Sequence, residues 1–484
     1  MIGKQDRWQE DLFVAGPLRD LIPDDHILKQ VDRILDLSWL REEVRDTYSE
    51  GQGRPSIDPE AAARLMLAGF FHNIVHDRKL LREAQVNLAI RWFAGYRLHE
   101  ALPDHSSLTR IRQRWGAKKF KKVFERTVTS CMQAGLVDGE TVHVDATLIR
   151  ADVSWASLTE VHADRVIAEN QIDGDDPTSP GGGGKQGHRR QKKLPKSKKR
   201  SSTDPDATLT TSRKSERMEP SYKQHTAVDD RAGVIVDVFT TTGEASEGKL
   251  LVQQIQNITD HTGRSIEVLT ADRGYAHGRN YALLEAQEIE AIIPPQPEPK
   301  PRRLPTRKFK YDGRHKLVRC PTGRILRRST VNDHGVVYRA QNKHCRHCPL
   351  RARCVSPSQP SRTVQISHGY EATLRARRHR EYWTEETLRS YQRHRWRVEG
   401  VHGEQKTQHG LRRAVRRGLD NVSIQVYLTA ATVNLKRLAA LLCAYLVRYR
   451  FSEATQRCSR HDRRPRDLYL IRTDLQTEAQ RKAA

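Results

Sequence analysis

Apolar residues in the first third of the chain recur at helical spacing, and residues 24–135 read as a set of short helices. Asp58-Pro59-Glu60 has the form of an N-cap with proline at the first helical position, and Leu65, Phe70 and Phe71 supply part of the apolar face behind it. A second helix is expected over 77–87. Pro103-Asp104-His105 interrupts, and a helix starting near Ser106 places Leu108, Ile111 and Trp115 on one stripe. The helix after it buries Phe120, Val123, Phe124, Val128 and Cys131 and stops at Gly135. From Thr141 the period falls to two: Val142 and Val144 alternate with His143 and Asp145. Two strands follow, over 225–229 and 234–241, then a helix over 248–262. A strand over 265–271 runs into Asp272, a helix covers 278–287, and a short strand covers 291–293. This order predicts a mixed α/β sheet with acidic residues at strand ends. A further helix spans about 384–408.

Two segments break the pattern. Residues 173–218 hold four consecutive glycines and a run of Lys and Arg, with little to bury, and are expected to be disordered. The most apolar stretch, 422–449, contains Asn434, Lys436 and Arg437 and reads as a buried helix, not a membrane span. Residues 1–21 lack a signal-peptide pattern, so a cytoplasmic location is expected.

Charge narrows the partner. Lys and Arg total 85 against 59 Asp and Glu, a net charge of +26 over 484 residues, which favours a polyanion such as nucleic acid. Within the N-terminal helices Arg110, Arg112 and Arg114 fall largely outside the apolar stripe and are candidate phosphate contacts, in a helix-turn-helix-like arrangement. A helical bundle with a solvated basic face would have the same composition.

The candidate chemistry is carboxylate chemistry. Phosphoryl transfer on DNA requires divalent ions, and Mg²⁺ takes carboxylate oxygens. Asp145 and Asp272 each end or sit in a predicted strand, and Glu399 lies on a predicted helix. At about 100° per residue Tyr391, Arg395, His402 and Lys406 share its face. Asp152 competes with Asp145 for the first position. Four of the seven cysteines, Cys320, Cys345, Cys348 and Cys354, cluster in a way that suits a tetrahedral zinc site in a reducing compartment; His344 or His347 could replace one thiolate. Residues 294–363 are short of large apolar side chains, and the module is not expected to pack a core of its own.

At these residues the chain resembles the DDE transposases of bacterial insertion sequences, in the branch with an N-terminal helical domain before an RNase H-like core. The matching segments are 53–60 (GRPSIDPE), 103–108 (PDHSSL), 143–147 (HVDAT), 202–207 (STDPDA), 271–275 (ADRGY), Arg397-Val398-Glu399 with Lys406, and Asn434-Leu435-Lys436. The resemblance implies that Asp145, Asp272 and Glu399 form the Mg²⁺- or Mn²⁺-binding triad. It also implies that Arg395 and Lys406 contact DNA, from the pattern Tyr-x2-Arg-x3-Glu-x6-Lys. Gln392 stands where that pattern has tyrosine, and the nearest tyrosine is Tyr391. The cysteine cluster resembles an insert seen in this branch. The expected layout is a helical DNA-binding domain (1–138), an RNase H-like core (139–293 and 364–450) and a zinc-ribbon-like insert (294–363), with a basic tail (451–484). The implied function is transposition by DNA cleavage and strand transfer at transposon terminal inverted repeats and target DNA, by two or more copies assembled on DNA. A non-catalytic DNA-binding regulator and a nuclease that never joins ends are the rival readings.

Overall fold

The computed structural model describes residues 16–49, 56–154, 157–160, 199–210, 218–297 and 303–457. The chain divides into two compact units, Met1–Ser130 with Glu404–Ala484, and Cys131–Gly403.

The first unit is helical, with α1 (Ile27–Asp32), α2 (Leu40–Glu43), α3 (Pro59–Phe71), α4 (Asp77–Val86), α5 (Leu88–Phe93) and most of α6 (His105–Gln133). Asp58 caps α3, its carboxylate accepting from the Glu60 and Ala61 amides. Gly116, at φ +65°, breaks α6 between the two expected helices. The long C-terminal helix Leu419–Arg457 is apolar enough over Leu419–Tyr445 to cross a membrane by length and composition. It instead packs against α1 and α3, and Tyr427 stacks on Phe124. Its Lys436 is held by Glu404, Gln408 and His409. Residues from 404 onward therefore belong with the N-terminal helices, whereas the sequence reading attached 364–450 as a block to the α/β core. A helix apolar around its whole circumference needs cover on every side.

Arg112 corrects a second expectation. Only 4 % exposed, it forms a bidentate pair with Asp77 at 2.7 and 2.8 Å, and Arg416 closes on the same carboxylate at 2.6 Å. A guanidinium this buried, paired with a carboxylate inside the fold, is not presented to a phosphate. Arg110 and Arg114 remain exposed, Arg114 lying over the Tyr48 ring.

The second unit holds an eight-stranded sheet among the described residues. Its core strands are β1 (Thr141–Arg150), β5 (Glu219–Asp229), β6 (Ile235–Thr242), β7 (Val268–Ala271) and β8 (Glu290–Ile292). They lie in the order β6-β5-β1-β7-β8. The first three are antiparallel to one another, and β7 and β8 run parallel to β1. On the far side of β5 lie β4 (Thr208–Thr210), β3 (Lys199–Ser201) and β2 (Leu158–Glu160). Residues 199–210 of the segment expected to be disordered are thus ordered: Ala207 is buried and Asp204 accepts a 2.6 Å hydrogen bond from the Tyr222 hydroxyl. The Gly- and Lys-rich run itself lies outside the described residues. Helix α7 (Leu251–Thr262) packs on β6, and α8 (Gly278–Ala286) packs on α11 (Tyr370–Glu381).

The cysteine-bearing segment departs furthest from expectation. It forms a five-stranded antiparallel sheet of β9 (Lys310–Asp312), β10 (Leu317–Arg319), β11 (Ile325–Asn332), β12 (Gly335–Arg339) and β13 (Thr363–Ser367). Two short helices, α9 (Asn342–Arg346) and α10 (Arg351–Cys354), join β12 to β13. Phe309, Val318, Leu326, Tyr338, Val355, Val364 and Ile366 are all buried together with Cys345 and Cys354. The module does pack a core. Its apolar residues are spread over strands, one buried face per strand, and include the β-branched Val318, Val364 and Ile366, which suits a sheet better than their number suggests.

Candidate active site

Backbone pairing places the first two carboxylates. β1 and β7 are parallel, with Val144 opposite Ala271, so the next residues, Asp145 midway along β1 and Asp272 just past the end of β7, come side by side. Neighbouring strands lie about 4.8 Å apart. Asp272 also caps the turn Arg273–Tyr275, accepting the Gly274 amide at 2.7 Å. Asp152 is exposed beyond the end of β1, away from this pairing.

Glu399 arrives from the other side. Helix α12 (Glu385–His394) packs on β7 and continues into a turn of π-helix, Arg395–Glu399, that packs on β1 and β5 before α13 (Gly400–Gln408) begins. A π turn accommodates one extra residue in a helix and is common at functional sites. Tyr391 stacks flat on His394, and the charges of Asp272 and Glu399 both reach its hydroxyl, whose pKa is raised by burial first.

A buried polar chain ties this turn to the sheet. His143 Nδ1 lies 2.6 Å from the Thr270 hydroxyl, which lies 2.9 Å from His394 Nδ1. His143 Nε2 lies 3.0 Å from Asp230 Oδ1. Burial holds both imidazoles below their ordinary pKa, hence neutral. One proton arrangement satisfies every atom: His394 donates to Thr270, Thr270 to His143, and His143 to Asp230. Asp230 also takes Arg393 at 3.0 Å and Arg397 at 3.3 Å. Both arginines flank Glu399 in sequence, so Asp230 anchors the segment that carries it.

Electrostatics single out Asp145. Its carboxyl is pushed up to about 7, by burial first and then by the charges of Asp272, Glu247 and Glu399, against the lowering effect of the Ala146 amide. His402 Nδ1 stands 3.7 Å from Asp145 Oδ2, and its Nε2 bonds Thr226 at 2.9 Å. Thr226 already accepts from Gln224, so its hydroxyl proton is available to His402 Nε2, which leaves an N–H on Nδ1 facing Asp145. Glu399 is exposed and turned toward Arg395, whose Nε donates to it at 3.2 Å. Lys406 belongs to the other unit. Among the described residues, no three His, Cys, Asp or Glu side chains are gathered closely enough to hold one metal ion as they stand.

Two family models match this chain. The family described as a transposase domain (DUF772) matches residues 16–114, and the transposase DDE domain matches residues 319–439. Those two segments are similar to transposase domains, the second of DDE type. The second match takes in Glu399 and the four clustered cysteines, and neither match reaches Asp145 or Asp272. Among solved structures, a piggyBac transposase synaptic complex with hairpin DNA is similar at 10% identity and a TM-score of 0.30, over 96% of this chain and 84% of that one. A Mos1 transposase paired-end complex with the left transposon end is similar at 12% identity and a TM-score of 0.15, over 52% of this chain and 65% of that one. No curated protein matches.

Three groups near these carboxylates escaped the sequence reading as site residues: Glu247, Tyr275 and His402. His402 was legible as sharing a helix face with Glu399, and Tyr275 stood within a quoted motif. Glu247 had no signal, because it lies in a short turn between β6 and α7 whose position depends on tertiary packing.

The raised Asp145 pKa has a stability consequence. The unfolded carboxyl has its ordinary value of 3.8 and the folded one about 7. Below pH 4 both states bind the proton and there is no cost. As pH rises toward 7 the unfolded chain releases it first, and folding loses stability, by a few kcal/mol once both are ionised. Asp145→Asn is therefore expected to raise the melting temperature of the metal-free protein by several degrees at pH 8 and to leave it unchanged at pH 4. Equal melting at both pH values would contradict the charge crowding.

Proposed function

We propose that this transposase cuts DNA at transposon ends and joins them to target DNA by divalent-ion-dependent phosphoryl transfer at Asp145, Asp272 and Glu399. The observation that carries the reading is the pairing of β1 with β7, which sets two carboxylates side by side with the charge of Glu399 reaching Asp145. Support for an RNase H-like core comes from the strand order β6-β5-β1-β7-β8, three antiparallel strands followed by two parallel to the first. Carboxylate oxygens suit Mg²⁺ or Mn²⁺, and such ions supply activation of the attacking oxygen and charge neutralisation at the leaving one.

The chain's own groups act around that chemistry. Asp145, with its raised pKa, carries a proton near neutrality when no cation is present and gives it up when one arrives. His402 orients the Asp145 carboxylate, and the Asp230 anchor holds the Glu399 turn. Arg395, on the exposed side of that turn, is placed to meet a phosphate once Glu399 turns inward. Arg110, Arg114 and Lys406 add phosphate contacts, and the net charge of +26 favours double-stranded DNA as partner. In the first step water attacks a phosphorus at the transposon end, breaking the P–O bond to the departing 3′-oxygen. In the second, that 3′-hydroxyl attacks a target phosphorus, forming one P–O bond as another breaks. Two or more copies assemble on the DNA.

A structural zinc ion belongs to the same reading. Cys320, Cys345, Cys348 and Cys354 line one small pocket with His344, whose buried Nδ1 has no hydrogen-bond partner. The Cys354 thiol is pushed up by burial and by the other three sulfurs. Soft thiols and an orphaned imidazole nitrogen fit zinc, which would tighten a module that already has its own core.

Two experiments check these statements. With pre-cut transposon ends and a target plasmid, the parent protein is expected to join strands in Mg²⁺. Asp145→Ala, Asp272→Ala and Glu399→Ala are each expected to abolish cutting and joining while still binding ends. Cutting without joining would make the protein a nuclease, and full activity of any variant would remove that residue from the triad. Elemental analysis of protein purified without added metal is expected to give one zinc per chain, lost in Cys345→Ser/Cys348→Ser. Equal zinc in both, or none in the parent, rules the site out.

A further inference from the structure

The turn Glu247–Lys249, which precedes α7, lies against the Asp272–Tyr275 turn. Buried Asn280 links them, donating to Gly248 O at 2.8 Å and to Tyr275 O at 2.9 Å. Gly248 permits the approach: a Cβ there would meet the His277 ring at 2.1 Å. The Glu247 carboxylate is fixed at one oxygen only. Lys223 Nζ holds Oε1 at 3.0 Å and is itself tethered to Ala245 O. The other oxygen, Oε2, faces Gly274, where an added Cβ would sit 3.0 Å from it and 2.8 Å from Asp272 Oδ1. The two carboxylates thus approach one small space from opposite sides, and glycine at 274 keeps it open.

A second observation points into the same place. Tyr275 is fully buried, and its hydroxyl has no hydrogen-bond partner. The carboxylates whose charges reach it are Asp145, Glu247 and Asp272. A buried hydroxyl left unbonded costs about 1–3 kcal/mol, and it is expected to find a partner when a ligand enters.

We propose that Glu247 is a fourth carboxylate of the catalytic centre, binding the divalent cation through Oε2 together with Asp272, with the Tyr275 hydroxyl as the hydrogen-bond donor that completes the pocket. The inference rests on the phosphoryl-transfer reading above. Its chemistry is that of a hard cation taking oxygen donors, with Lys223 limiting the net negative charge. Glu247 serves as the ligand, and Lys223 is a counter-charge on its other oxygen that cation binding does not require.

The test is Mn²⁺ binding to the full-length protein, followed by electron paramagnetic resonance, with thermal melting as the folding control. Glu247→Gln is expected to weaken Mn²⁺ binding about tenfold or more, and Asp272→Asn to do the same. Lys223→Met, which breaks the ion pair but keeps the carboxylate, is expected to leave Mn²⁺ affinity unchanged or raised. If Asp272→Asn weakens binding and Glu247→Gln does not, Glu247 is no ligand, though the triad stands. If Lys223→Met costs as much as Glu247→Gln, the carboxylate acts only through its ion pair and the proposal fails. A parent protein that binds no Mn²⁺ would overturn both the proposal and the reading beneath it.

Discussion

Parallel pairing of β1 with β7 sets Asp145, midway along β1, next to Asp272, just past the end of β7, in a place partly withdrawn from water. Like charges a few ångströms apart at intermediate dielectric repel by several kcal/mol. The backbone ladder prevents the strands from relieving that repulsion by moving. The structure answers it in two ways: Asp145 takes a proton near neutrality, and Arg395 and Lys223 draw the Glu399 and Glu247 carboxylates toward themselves. A divalent cation would answer it better than either. The polar chain from His394 through Thr270 and His143 to Asp230 keeps the Glu399 segment in place meanwhile.

Much of this was legible in the chain itself, for local reasons. The alternation around Val142–Asp145 reports a strand because side chains on a strand alternate by geometry, and Arg273-Gly274 reports a sharp exit after Asp272. The position of Glu399 was carried by its spacing to Arg395, which the π turn preserves as a contact although it spoils the regular helical wheel. Glu247 was not legible, since its turn is placed by contacts with Asn280 and Lys223, distant in sequence. Arg112 was misread for the same kind of reason: its partner Asp77 is thirty-five residues away, and a basic residue off an apolar stripe looks solvated until that partner is known.

The cysteine-rich module shows where counting apolar residues fails. Val318, Leu326, Val364 and Ile366 are few, but they supply the inward faces of three strands, β10, β11 and β13, and Cys345 and Cys354 act partly as small apolar side chains. The ending of the core at Gly403 was equally hidden, because helical periodicity says that a helix is buried without saying against what.

The central claim is that the adjacent carboxylates of Asp145 and Asp272 form a hard-cation site. Anomalous diffraction from crystals of the full-length protein soaked in Mn²⁺ tests it most directly. A manganese peak is expected within coordination distance, about 2.0–2.6 Å, of carboxylate oxygens of both Asp145 and Asp272. Well-diffracting crystals with no peak there, or with manganese bound only elsewhere, would contradict it.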